Sequence, residues 1–177
     1  MTDFSDRLLA DTPRKGRTSR FRPIVLISIP LGAILFQVYV PLFIEYLSYL
    51  ELPLLVTVYF ALMRRNPSAG ALTGAAIGLM QDSLSHQPLG MFGIVKTLVG
   101  YFASSLSLRF DVENPMMRFI LGLFFFIFHQ FFYWVLARAL LGQEMDFRVQ
   151  HTFISGLLNA TVAIPLFLIL DKLRKTA

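Results

Sequence analysis

Gly70-Ala71-Leu72-Thr73-Gly74-Ala75-Ala76-Ile77-Gly78-Leu79-Met80-Gln81-Asp82 is the stretch on which the fold depends. Its glycines recur every fourth residue, and at about 3.6 residues per turn that spacing places Gly70, Gly74 and Gly78 on one helical face. A face without side chains lets a second helix approach closely, the small-xxx-small pattern of helices that associate in lipid. Ala71 and Ala75 widen the strip. Packing within one bundle is the first expectation for this face, and contact with another chain the second. Asp82 follows Gly78 by four residues, so its carboxylate lies over the same face and points into a bundle rather than at lipid. A buried carboxylate needs a partner. Past the turn that ends in Gly90, Lys96 is the charged residue deep in the next apolar stretch. The short turn sets the two helices antiparallel, so an Asp82–Lys96 contact, direct or through water, is expected.

Outward from this pair the chain continues in the same manner. Apolar stretches run over 24–44, 47–63, 69–84, 89–108, 116–141 and 153–170, about two-thirds of the 177 residues, each near the ~20 residues of a bilayer span. With 55% hydrophobic and 15% charged residues, a soluble domain is excluded. The expected fold is an all-α membrane protein, a six-transmembrane-helix bundle with both termini cytoplasmic. Residues 1–23 form a basic cytoplasmic tail, 24–171 the transmembrane domain and 172–177 a basic C-terminal tail. Charge supports this orientation. With the N-terminus inside, Arg7, Arg14, Lys15, Arg17, Arg20, Arg22, Arg64, Arg65, Arg109, Lys172, Arg174 and Lys175 share the cytoplasmic side, Arg148 stands opposite, and Lys96, Arg118 and Arg138 fall within spans.

The net charge of +5 is thereby spent on topology and on attraction to anionic membrane lipids, and no nucleic-acid partner is implied. The first apolar stretch is too long for a signal-peptide core and is read as an uncleaved helix. The second helix starts at Leu47 or only at Leu52, because Pro41, Glu45, Glu51 and Pro53 crowd that corner. Arg64-Arg65-Asn66-Pro67-Ser68 marks a cytoplasmic hairpin, with Ser68 expected as the next N-cap. With no cysteine there is no disulfide, thiolate metal site or cysteine nucleophile, and no cofactor is expected. His129 beside Gln130 suits an interhelical hydrogen bond better than a metal, since no second histidine lies at ligand spacing. Ser83, Asp82 and His86 crowd one turn, and adjacent residues do not make a triad. The aromatic fifth stretch, from Phe119 to Trp134, reads most simply as lipid-facing.

The order of features resembles the rod shape-determining protein MreD family: a basic tail, a Glu-Leu-Pro opening at Glu51, a span ending in Arg-Asn-Pro, then Gly74, Gly78, Leu79, Asp82 and Leu89-Gly90. The resemblance covers the whole chain in length and topology, with its specific residues between Glu51 and Gly90. It implies a non-enzymatic component of the rod complex, or elongasome, in the bacterial inner membrane, which builds lateral peptidoglycan. The implied partners are MreC, the MreB filament, RodA and a penicillin-binding transpeptidase. Gly74, Gly78, Asp82 and Gly90 are carried over as motif positions of architectural role. The family is similar in fold to the substrate-binding subunits of energy-coupling-factor vitamin transporters, so a solute-binding transporter subunit is the alternative. An intramembrane enzyme would need Ser83, Asp82 or His86 for turnover.

Overall fold

The computed structural model describes residues 23–85, 88–142, 146 and 148–173. The basic run before Pro23, His86, Gln87, most of the loop between Gly142 and Arg148, and the final basic residues lie outside the described residues. Within them the chain forms six α-helices: α1 (Pro23–Tyr39), α2 (Leu52–Arg64), α3 (Pro67–Leu84), α4 (Met91–Leu106), α5 (Pro115–Leu141) and α6 (Val149–Lys172). Two 3-10 turns, Val40–Leu42 and Glu45–Tyr49, make the elbow between α1 and α2. The second helix therefore begins at Leu52, the later of the two starts the sequence allows.

Four segments are long and apolar enough to cross a membrane: Pro23–Leu42, Glu45–Arg64, Pro115–Leu141 and Val149–Lys172. Of the six expected spans, four thus meet the length and apolarity of a membrane crossing on their own, and the reason the other two fall short is physical. Helix α4 has 16 residues, and α3 is diluted by its glycines and by Gln81 and Asp82. The same glycines that lower hydropathy allow α3 and α4 to pack as the closest helix pair of the bundle.

Helix starts follow proline and asparagine. Pro67 and Pro115 each stand at the first helical position, where a missing N–H costs nothing. The cap therefore falls one residue earlier: Asn66 Oδ1 accepts from the Ala69 N–H at 3.1 Å, and Asn114 Oδ1 from the Met116 N–H at 2.9 Å. Asn66, not Ser68, caps α3. Helices α3 and α4 run antiparallel, as do α5 and α6, which pack through Gly122 against Ala160 and Ala163 and through Gly156 against Leu123 and Phe126. The bundle has two ends. One, the terminal end, carries Pro23, Leu173 and the α2–α3 and α4–α5 turns; the distal end carries the elbow and the α3–α4 turn.

Helix α2 is the axis of the structure. It is apolar on every side, the pattern of a fully buried helix, and it packs against all five others. From Leu54 to Met63 it is buried throughout, and its Thr57 hydroxyl is satisfied by donating to the Pro53 carbonyl at 2.8 Å. Helix α1 is peripheral, burying Pro30, Ala33 and Ile34. The aromatic residues of α5 divide between two environments: Phe125 and Phe126 are buried in the core, whereas Phe124 and Phe131 are exposed on its outer side. Lipid exposure accounts for only part of that helix.

Candidate functional site

The glycine face of α3 is filled by α4 of the same chain. A Cβ added at Gly74 would stand 2.6 Å from the carbonyl carbon of Lys96, and one at Gly78 would stand 2.6 Å from that of Phe92 and 2.7 Å from the Gly93 Cα. At Gly70 it would meet Ser104, and Gly100 returns the contact against the Gly70 backbone. Backbone meets backbone along this seam, which suits Cα–H···O contacts and dispersion. Ser104 then ties α4 to the axis, its hydroxyl donating to the Ala61 carbonyl at 2.8 Å.

At the distal end of the seam the α3–α4 turn is closed by Asp82, which is 2% exposed. Its Oδ2 accepts from the N–H groups of Gly90 and Gly93, each at 3.0 Å, and its Oδ1 from the Phe92 N–H at 3.1 Å. These are orphan donors of the first turn of α4, and a carboxylate beside them also meets the positive end of the helix dipole. Gly90 has φ +96, a left-handed conformation that suits glycine, and it presents its N–H to the carboxylate from there. Asp82 is a cap on the following helix. The expected direct Asp82–Lys96 pair does not form: Lys96, fully buried, donates its Nζ to Gln81 Oε1 at 2.6 Å and lies over the Phe92 ring at 4.4 Å from the centroid. The reason is competition, since backbone amides one helical turn away saturate the carboxylate that the lysine would otherwise take.

Around this core the other helices add polar groups. The Glu51 N–H donates to Asn159 Oδ1 at 2.8 Å, and Asn159 Nδ2 donates to the carbonyls of Tyr49 and Ser155 at 2.7 Å and 2.8 Å, which fixes the elbow on α6. His129 on α5 is buried and lies parallel to the Phe92 ring at 5.9 Å, with neither ring nitrogen hydrogen-bonded. The expected interhelical hydrogen bond of His129 is therefore replaced by stacking. Near the terminal end a second buried cluster appears. Arg118 reaches Asp171 Oδ2 at 2.7 Å and donates its Nε–H to the Val112 carbonyl at 2.9 Å, while the Tyr59 hydroxyl donates to Asp171 Oδ1 at 2.9 Å.

All six residues marked from the sequence, Gly70, Gly74, Gly78, Asp82, Gly90 and Lys96, thus lie on or beside one α3–α4 seam. Sequence reasoning missed Gln81 as the lysine's acceptor, Asn159 as the elbow clamp and the Arg118–Asp171–Tyr59 cluster. Arg118 within an apolar stretch was the available signal, since a buried guanidinium requires an acceptor. Among the described residues no three His, Asp or Glu side chains are grouped to hold a metal.

The model of the rod shape-determining protein MreD family matches residues 18–177 of the chain. No curated protein and no solved structure matches it significantly.

Proposed function

The chain belongs to the rod shape-determining protein MreD family, and we propose that it is a non-enzymatic scaffold of the rod complex, spanning the bacterial inner membrane six times with both termini in the cytoplasm. In this reading it holds MreC, and through it or directly the MreB filament, RodA and a penicillin-binding transpeptidase, at sites of lateral peptidoglycan synthesis. The twelve-to-one division of basic residues supports the orientation. Helices α3 and α4 cross as one close pair, each sheltering the other's polar groups.

One observation carries the architectural role. The acidic residue of the motif accepts three hydrogen bonds from the amides that start α4, so it is engaged in fixing a helix and not in presenting a reactive group. Gly70, Gly74, Gly78, Asp82, Gly90 and Lys96 then set the rigidity of the surface offered to partners. A second reading, a solute-binding transporter subunit, draws support from the buried polar atoms of Glu51 and His129 that lack a protein partner. Depletion in the rod-shaped host separates the two. The scaffold reading expects rounding of the cells with vitamin uptake unchanged; retained rod shape with lost uptake overturns it.

A further inference from the structure

The helices around the axis differ in length. On one side α3 has 18 residues and α4 has 16, about 27 Å and about 24 Å of helix. On the other side α5 has 27 and α6 has 24, about 40 Å and about 36 Å. The hydrocarbon core of a bilayer is about 30 Å thick. Tilting fits a long helix into a thinner core, whereas a short helix only loses height by it, so α3 and α4 fall short at any angle. The exposed side chains divide in the same way. The outward face of α3 reads Ser68, Leu72, Ala76, Leu79 and Ser83, with a hydroxyl at each end. Helix α6 presents exposed apolar side chains over its whole length, from Val149 through Ile154, Leu158 and Leu168 to Leu173.

A short hydrophobic segment is accommodated by snorkelling of its flanking cations, by association with another chain or by thinning of the bilayer. Snorkelling is closed to this pair. Lys96 is the only Lys or Arg between Pro67 and Leu106, and it is buried and donates to Gln81 Oε1. At the terminal end Arg64 reaches inward instead of outward: its Nη1 donates to Thr73 Oγ1 at 3.2 Å, beside a residue about 9 Å along α3 from Pro67. Arg64 is partly exposed, and a guanidinium at that level draws water and headgroups up to it, the local thinning that accompanies arginine in a membrane.

We propose that the α3–α4 face binds the bilayer as a thinned patch, selecting phospholipids of short acyl chain at a core thickness of no more than about 27 Å. Helices α5 and α6 are matched to lipid of ordinary thickness, so the bundle stands across a step in the bilayer. The inference rests on the six-span reading, in which α3 and α4 both cross the membrane.

Tryptophan quenching by brominated phospholipid reads each face separately. Trp134 is the only tryptophan. In a Trp134→Phe background, Ala76→Trp reports the middle of α3 and Leu158→Trp the middle of α6, both exposed positions. Leu72→Trp, exposed on the same face of α3, repeats the measurement where the native side chain is already large. The purified full-length variants are reconstituted in brominated dioleoyl phosphatidylcholine mixed with unbrominated dimyristoleoyl or dierucoyl phosphatidylcholine. The fluorescence that each unbrominated lipid restores gives its relative binding constant at that tryptophan. Expected is a ratio of dimyristoleoyl to dierucoyl binding about twofold or more higher at Ala76→Trp and Leu72→Trp than at Leu158→Trp. Quenching with equal ratios on both helices overturns the thinned patch and leaves the six spans standing. Absence of quenching on α3 also overturns it, and a charged maleimide on Ser85→Cys in sealed vesicles then tells the two causes apart. Labelling from the outer side alone means that another chain or a second copy covers the face; labelling from the cytoplasmic side means that the six-span reading itself fails.

Discussion

Replacing Gly78 by alanine adds a single methyl group where α3 meets the α4 backbone directly, and its cost follows from the distances. The new Cβ would stand 2.6 Å from the Phe92 carbonyl carbon and 2.7 Å from the Gly93 Cα, both backbone atoms that cannot rotate away. Carbon atoms prefer about 3.5–4.0 Å, so α4 must retreat by about 1 Å. Overpacking of this kind costs about 1–3 kcal/mol. The displaced residues are also the ones whose N–H groups Asp82 binds, and hydrogen bonds to a charged acceptor contribute about 1.5–3 kcal/mol each, part of which is lost. Alanine returns about 1 kcal/mol of helix preference over glycine. The net is about 2 kcal/mol, a fall in Tm of about 4–8 °C for a chain of this size. Trp134 is the only tryptophan and reports unfolding in detergent by its fluorescence. Gly32→Ala on α1 is the control, because nothing lies within 4 Å of its added Cβ, and it should be neutral or gain about 0.4–1 kcal/mol. A Gly78→Ala protein that unfolds at or above the wild-type temperature would refute the close-seam reasoning.

Asp82→Asn should destabilise the bundle by about 1.5–3 kcal/mol through the lost charged acceptor, with faster hydrogen exchange at Gly90, Phe92 and Gly93 as its local signature. Lys96→Met should cost less, because it removes a buried charge together with its bond to Gln81. The two changes should nearly add in the double mutant, whereas a coupling as large as either single effect would point to a direct pair after all. At the terminal end, Asp171→Ala strands the Arg118 guanidinium and should cost about 1–3 kcal/mol, less than a fully buried pair because Asp171 is partly exposed; Arg118→Leu with Asp171→Leu should recover most of the loss on thermal unfolding. Asn159→Leu removes the clamp on the elbow and should raise protease sensitivity between Tyr39 and Leu52 while leaving the α3–α4 seam intact.

The glycine period made the α3–α4 seam legible before any coordinates, because a four-residue repeat of glycine has a direct geometric meaning. Helix starts were partly legible: the Arg64–Ser68 turn marked where α3 begins, although the cap proved to be Asn66 rather than Ser68. The destination of the Asp82 carboxylate was not legible in the same way. Sequence arithmetic compares side chains with side chains and so matched Asp82 to Lys96, whereas its partners are backbone amides that every sequence possesses. Glu51 and His129 illustrate the same limit, since their surroundings are set by the angle at which α2 and α5 meet α4. The terminal cluster joins residues more than a hundred positions apart, Tyr59 and Asp171, and no local pattern encodes such a contact. Hydropathy, for its part, misjudged α3, whose packing value lies in atoms it lacks.

The most direct test of the scaffold reading is in-cell crosslinking of the tagged full-length protein, mild-detergent purification and mass spectrometry of what is retained. The account expects MreC together with the wall synthases, and expects their recovery to fall in Gly78→Leu, where α4 is driven off the seam. Recovery of an ATPase pair with a coupling membrane subunit, and of no rod-complex component, would contradict it.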